Sequence, residues 1–402
     1  MSGIYLHIPF CKQACHYCDF HFSTSLKKKD ELVQAIALEL ELRKDEINIP
    51  IETIYFGGGT PSLLSIDELR FLIDAIYKNF TVIKNPEVTI EANPDDLIAA
   101  QNVTLSAPNG NRDEIQTTTL FEQYRSIGIN RLSIGIQSFF EDDLVMMNRA
   151  HNSKEAENCL SEATRYFDNI TIDLIYGVPN MSNEKWTANI EKALSFGIKH
   201  ISSYALTVEP KTALASFIAK GKIDAPKDAV AHEHFQILVN TLEKNGFVHY
   251  ELSNLGKPNY FSKHNTSYWL GKPYLGVGPS AHSFNGTQRS WNVANNTKYI
   301  NSIEKNTLPI ERETLSIDDR YNEYVMTGLR TIYGVSLNKV SNDFGTLYEI
   351  HIKKMAQKHI DQGLLMITSE TGQDSTVQIQ KLFTTARGKF LCDGIASDLF
   401  MV

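Results

Sequence analysis

The sequence predicts an α/β fold of six successive βα units, continued by a small α+β module toward the C-terminus. Two observations carry this. Between Gly3 and about Tyr204, short apolar runs alternate with amphipathic stretches, the pattern of parallel strands joined by helices. Beyond Pro309 the character changes to helical segments followed by a hairpin, which reads as winged-helix-like. The apolar run 3–8 supplies the first strand, and 53–56, 87–91, 131–136, 171–175 and 200–205 supply the next five. Helical spacing fills 32–43, 67–80, 120–126, 153–167 and 183–195, with Asp67 and Ser153 placed where N-caps belong.

Six βα units suit an open doubly wound sheet or a curved, partly closed barrel, and periodicity does not separate them. Both folds bind ligands beyond the carboxyl ends of their strands, so polar and glycine residues at those ends are the ones to inspect. The segment 102–118, rich in Asn, Thr, Ser, Gly and Pro, reads as a surface loop inserted before the fourth strand. A helix from Val230 to Lys244 and a strand at 247–250 extend the first domain, set at 1–308. The second domain, 309–402, carries helices at 317–332, 337–344 and 347–361, a hairpin within 364–383, and a last helix at 384–399.

A chain of 402 residues with 42% hydrophobic and 21% charged residues is an ordinary globular chain, long enough for a large core. Its formal charge of -8 argues against nucleic acid as an electrostatic partner, and the run Lys27, Lys28, Lys29 reads as a solvated loop. For the same reason the small module reads as a lid or partner surface rather than a DNA reader. No apolar stretch approaches the roughly 20 residues of a membrane span, so the chain is not expected to be membrane-embedded. Residues 1–10 lack the pattern of a signal peptide, which predicts a cytoplasmic protein.

Five cysteines, an odd and sparse set, exclude a disulfide framework, yet Cys11, Cys15 and Cys18 fall within eight residues. Their spacing, C-x3-C-x2-C, follows the first strand. Three thiolates from one loop hold three corners of a [4Fe-4S] cluster and leave the fourth iron open for chemistry. The competing reading is structural zinc with His16 or His21 as the fourth ligand; such sites normally use a second, distant C-x2-C pair, which is absent from the sequence. Cys159 and Cys392 lie in helical stretches and read as small buried residues.

The cysteine loop resembles that of the radical S-adenosylmethionine (SAM) superfamily. The likeness narrows through Tyr5-x-His7-Ile8-Pro9-Phe10-Cys11, Gly57-Gly58-Gly59-Thr60-Pro61-Ser62, Ile90-Glu91-Ala92-Asn93-Pro94, the run from Asn130 to Phe139, and Ile172-Asp173-Leu174-Ile175-Tyr176-Gly177. In this order, each at an expected strand end, they are similar to the oxygen-independent coproporphyrinogen III oxidase group. The resemblance implies a partial (β/α)6 radical SAM barrel, with SAM bound at the open iron. It also implies SAM contacts at Tyr5, Tyr17, Gly58, Gly59, Thr60, Glu91, Gln137, Arg149, Asp173, Ala205 and His282. The chemistry agrees: glycines admit close backbone approach, Glu91 suits ribose hydroxyls, and Arg149 suits a carboxylate. Read without the resemblance, the glycine triplet is a tight turn and each charged residue a surface pair or strand-end cap.

Two departures separate members of this group. The oxidases carry a further cysteine two residues after the third, where this chain has Phe20, and a longer segment before the cluster motif. In contrast, His264-Asn265-Thr266-Ser267-Tyr268-Trp269 matches the H-N-x-x-Y-W motif of the HemW family of heme chaperones, and the whole chain is similar to that family. This implies heme as a third ligand beside the cluster and SAM, bound through His264, Asn265, Tyr268 and Trp269, with His264 as an iron ligand and the aromatic pair as porphyrin surface. It further implies a heme-acceptor protein, respiratory membrane proteins being one class, and an electron donor for the cluster. The alternatives are a coproporphyrinogen III oxidase and a non-catalytic zinc or iron-sulfur protein. Read without the resemblance, the Tyr-Trp pair before Leu-Gly-Lys-Pro simply closes the barrel end.

Overall fold

A computed structural model describes residues 2–99, 103–105, 116–371 and 378–402. The six expected strands form as Gly3–Ile8, Ile51–Gly58, Val82–Ala92, Arg131–Gln137, Ile170–Tyr176 and His200–Ala205, all parallel and adjacent in chain order. That order decides between the two folds left open by periodicity. A doubly wound sheet reverses its strand order to place helices on both faces, whereas right-handed crossovers without reversal put every helix on one side. The sheet therefore curls around its other face as a partial barrel. Strands Asn254–Gly256 and Val248–Glu251 extend one edge; Tyr274–Val277, His282–Phe284, Gln288–Asn292 and Ile310–Thr314 extend the other, so the barrel stays open.

The first helix starts at Lys29, three residues before expectation, and two helix caps lie one or two residues earlier than expected. Ser65, not Asp67, caps helix Ile66–Asn79 in a capping box with Glu68, and Asn152, not Ser153, caps Ser153–Tyr166 with Glu155. In each, the side chain one residue before the helix reaches the third amide, and the acidic residue reaches back to the cap amide, leaving Asp67 to favour the positive helix end. The segment read as a plain loop at 102–118 contains a short antiparallel pair, Val103–Leu105 with Gln116–Thr118; 106–115 lies outside the described residues.

The second core gathers Tyr321, Val325, Val340, Ile352, Leu382 and Leu399. Its strands Leu365–Thr371 and Gln378–Thr384 pair as expected, joined by the short strand Val335–Ser336. The last helix is shorter than 384–399: Thr384 ends a strand, Lys389–Leu391 is a 3-10 turn, and the α-helix spans Cys392–Asp398. Gly388 packs against the Leu364 carbonyl, where a Cβ would sit 2.1 Å away, so this close approach requires glycine. Strand Ile310–Thr314 belongs to the large sheet although the sequence places it in the second domain. Among the described residues no helix is long and apolar enough to cross a membrane.

A buried ionic knot closes the barrel edge. Glu39 on helix Lys29–Leu42 and Arg43 at its C-cap, 0% and 1% exposed, pair at 2.9 Å. Arg43 also donates to the Gly276 carbonyl at 2.8 Å and to Ser283 at 3.1 Å, while Glu39 accepts from the Gly278 amide, Asn292 and Tyr299. The knot thus pins the added strands to the first helix. Removing one partner strands the other charge in the core, so Glu39→Ala or Arg43→Ala is expected to cost about 3–5 kcal/mol, measured by urea unfolding. Glu39→Leu with Arg43→Met removes both charges but leaves the Gly278 amide, Asn292 and Tyr299 without their acceptor, so it should recover only part of that loss.

Candidate cofactor site

Several contacts that do not involve its cysteine side chains anchor the cluster loop. Lys12 pairs with Asp95 and Asp96 at the end of the third barrel strand. The His16 amide donates to the Met147 carbonyl at 3.1 Å, and Asn148 donates to the Ala14 carbonyl at 2.7 Å. Asn148 takes φ +57, a conformation Asn tolerates, which turns its side chain back to the loop. Neither histidine considered for zinc completes a metal site: the His16 ring bonds the Met146 carbonyl at 2.8 Å, and His21 bonds Asn296 at 2.7 Å.

Cys11, Cys15 and Cys18 line one cavity of about 540 Å³ at the carboxyl ends of the strands. Among the described residues no three His, Cys, Asp or Glu side chains converge on a single ion. A cubane cluster makes no such demand, because each thiolate binds a different iron. The surroundings also fit a thiolate-bound cluster: Arg149 donates to Cys15 Sγ at 3.3 Å, and Thr60 donates to Cys11 Sγ at 3.6 Å. Burial pushes the Cys18 thiol up to about 11, so the ligands must shed protons to bind iron.

The same cavity brings together Tyr17, Gly58, Gly59, Thr60, Glu91, Gln137, Arg149, Asp173 and Ala205 from five strands and the cluster loop. The glycine run is fixed by packing: a Cβ on Gly59 would stand 2.6 Å from the Phe10 carbonyl oxygen, and Gly58 sits at φ +105 beside His7. Gln137 adopts φ +65 at its strand end, a strained position that aims the side chain into the cavity. Glu91 accepts from Tyr55 at 2.8 Å and from the Gly58 amide at 3.1 Å. Burial raises Glu91 to about 7, with Asp173 adding to the rise against those two hydrogen bonds. Burial likewise raises Asp173 to about 6, opposed by Arg149 and Arg131. Arg149 donates to Asn93 at 2.6 Å and to the Gly135 carbonyl at 2.9 Å, and its Nε is buried without a partner. A cation that lines a cavity, with no carboxylate paired to it among the described residues and one nitrogen unpartnered, suits an anionic ligand group.

The remaining expected residues fall elsewhere. His264 is 2% exposed and lines neither large cavity. Its Nδ1 meets Thr53 at 2.7 Å, its Nε2 meets the Tyr268 hydroxyl at 2.7 Å, and its ring stacks on Tyr55 at 4.9 Å. With both nitrogens engaged, iron ligation by His264 would break two buried hydrogen bonds. Glu87 accepts the Lys263 and His264 amides at 3.2 and 3.1 Å, seating helix Lys263–Trp269 inside the barrel. Asn265 then faces the cluster cavity, whereas Tyr268 and Trp269 face a second cavity, together with Tyr5 and His282. Phe20 lines both. Sequence reading gave no role to Tyr55, Asn93 or Arg131. Asn93 and Arg131 stand inside the quoted motifs, and Asn93 and Tyr55 gain their roles only through partners 56 and 36 residues away.

The family model described as the Radical SAM superfamily matches residues 5–193. The chain is 31% identical to "Heme chaperone HemW" of Mycobacterium tuberculosis, covering 99% of this chain and 94% of that protein. It is 32% identical to the protein of the same name from Bacillus subtilis, covering 97% and 99%. Among solved structures it is similar to coproporphyrinogen III oxidase (HemN) of Escherichia coli, with a TM-score of 0.79 and 20% identity over 100% of this chain and 90% of that one. At that identity the likeness speaks for the fold.

Proposed function

The chain belongs to the HemW family within the radical SAM superfamily, and we propose from that membership that it binds heme and hands it to an acceptor protein while carrying a SAM-binding [4Fe-4S] cluster. The observation that best supports this is the seating of helix Lys263–Trp269, whose motif residues form the wall between the cluster cavity and a second, aromatic cavity. One short helix thus touches the space for SAM and the space for cargo.

In this reading Cys11, Cys15 and Cys18 hold three irons, and the cluster when bound supplies an open iron for the amino and carboxylate groups of SAM. Arg149 keeps a positive charge beside the Cys15 thiolate and neutralises part of the anionic cluster. Glu91, fixed by Tyr55 and the Gly58 amide, offers its remaining lone pairs to ribose hydroxyls. Asp173 and Gln137 close the far side of the same space. The glycine run packs its backbone directly against Ile8 and Phe10 at the start of the loop.

The test is anaerobic reconstitution with iron, sulfide, SAM and hemin, followed by optical spectra and product analysis on one sample. Stoichiometric hemin retention, and heme transfer to an apo-acceptor on mixing, are expected. Conversion of coproporphyrinogen III to protoporphyrinogen at many turnovers would replace the chaperone reading by the oxidase one.

A further inference from the structure

Resting on the heme reading above, we infer that the heme cargo sits in the cavity between the barrel and the C-terminal unit, with His282 as iron ligand and Arg320 as a propionate partner. The cavity holds about 1100 Å³, at the upper end of the few-hundred to roughly 1,000 Å³ range of ligand pockets, which suits a large flat ligand. Tyr268, Tyr274 and Phe284 on one side and Tyr324 and Phe344 on the other give it facing aromatic walls. Tyr268 and Tyr274 meet edge to face at 4.5 Å, which fixes the wall instead of leaving it to collapse.

The iron ligand follows by elimination among the histidines of that wall. The His7 ring bonds the Tyr5 hydroxyl at 3.2 Å and the His21 carbonyl at 3.1 Å. His21 bonds Asn296. His282 is exposed toward the cavity, its ring stacks on Trp291 at 6.0 Å, and among the described residues neither of its nitrogens has a hydrogen-bond partner. An imidazole braced on one face and free at both nitrogens is a ready axial ligand; His264, locked between Thr53 and Tyr268, is instead a positioning residue that sets the Tyr268 wall.

Charge supplies the second anchor. Of the cavity's four Lys and Arg residues, Arg289 is paired with Glu323 at 2.8 Å, Lys339 is paired with Asp343, and Lys381 is engaged as well. Arg320, on helix Ile317–Leu329, forms no ion pair among the described residues, and its Nε is buried without a partner. A guanidinium left unsatisfied in an aromatic cavity matches a carboxylate, and heme carries two.

Full-length, cluster-reconstituted protein titrated with hemin tests this through the Soret band, the ferric electron paramagnetic resonance spectrum and the heme dissociation rate. His282→Ala is expected to lose the histidine-ligated ferric signature and to release hemin on the order of tenfold faster, with added imidazole restoring the signature. Unfolding temperature should not move, since the side chain is exposed. Arg320→Ala should weaken hemin but leave hemin dimethyl ester, which lacks the carboxylates, unaffected. A wild-type spectrum and dissociation rate in His282→Ala would overturn the site, as would a loss that imidazole does not rescue. A wild-type protein that retains no hemin at all would overturn the cargo reading itself.

Discussion

Cys18→Ser protein, purified and reconstituted without oxygen, is expected to hold on the order of a tenth or less of the wild-type iron and sulfide, and to lose the broad brown absorption of the cluster. Serine keeps the size of the side chain and removes the soft thiolate that iron-sulfur clusters require. No other cysteine can step in: Cys159 is fully buried on helix Ser153–Tyr166, and Cys392 is buried in the second core. The loss should be confined to the cluster, because the loop is anchored by Lys12 to Asp95 and Asp96, by the His16 amide, and by Asn148. Far-ultraviolet circular dichroism and the melting temperature of the unreconstituted protein should therefore match the wild type. Cys11→Ser and Cys15→Ser should behave alike, and in Cys15→Ser the Arg149 guanidinium is also left without its sulfur partner. A Cys18→Ser protein with full iron and sulfide would remove Cys18 from the ligand set, and one zinc per chain in the wild type would remove the cluster.

The contrast between what the residues announced and what they hid has a physical basis. The barrel strands were legible because their core-facing residues recur at every second position, as Ile4, Leu6 and Ile8 do, all buried. The cysteine loop was legible because its ligands are local in sequence. Pairings over long separations left no such trace. Tyr274–Val277 joins the barrel beside Gly3–Ile8, across some 270 residues, and is secured by Glu39 and Arg43, which alone look like an ordinary exposed pair on a helix. The role of His264 was hidden for the same reason. A histidine in a short motif reads as a ligand until Thr53, 211 residues away, is found on its Nδ1. The aromatic cavity, too, is lined by residues from widely separated stretches, Tyr5 to Phe284 and Arg320 to Lys381, and neither stretch alone carries its shape.

Glu91→Gln should stabilise the ligand-free protein in alkaline solution while weakening SAM binding, two effects of opposite sign from one carboxyl group. Burial holds Glu91 near 7 in the fold against an ordinary value of 4.5, so the folded state binds this proton more tightly than the unfolded chain. Below about pH 4.5 the group is neutral in both states and costs nothing. Between 4.5 and 7 the unfolded chain ionises first and gains the advantage, and above 7 the full cost of a buried carboxylate stands. Glutamine removes that cost without a cavity: its carbonyl can accept from the Gly58 amide, and its amide can donate to the Tyr55 hydroxyl once that hydroxyl rotates. The variant should gain about 3 kcal/mol at pH 8 and almost nothing at pH 4.5 in parallel urea titrations. SAM responds in the reverse sense. A carboxylate that accepts from ribose hydroxyls is lost as pH falls through 7, so wild-type affinity should drop between pH 8 and 6, the range in which Asp173 near 6 begins to add its own smaller fall. The variant should bind SAM at least tenfold more weakly at pH 8 and with a shallower pH dependence, read by calorimetry on the reconstituted cluster form. Equal stability of the two proteins at pH 8 would show that Glu91 carries no strain in the empty site. Equal SAM affinity would instead place the ribose elsewhere in the cavity.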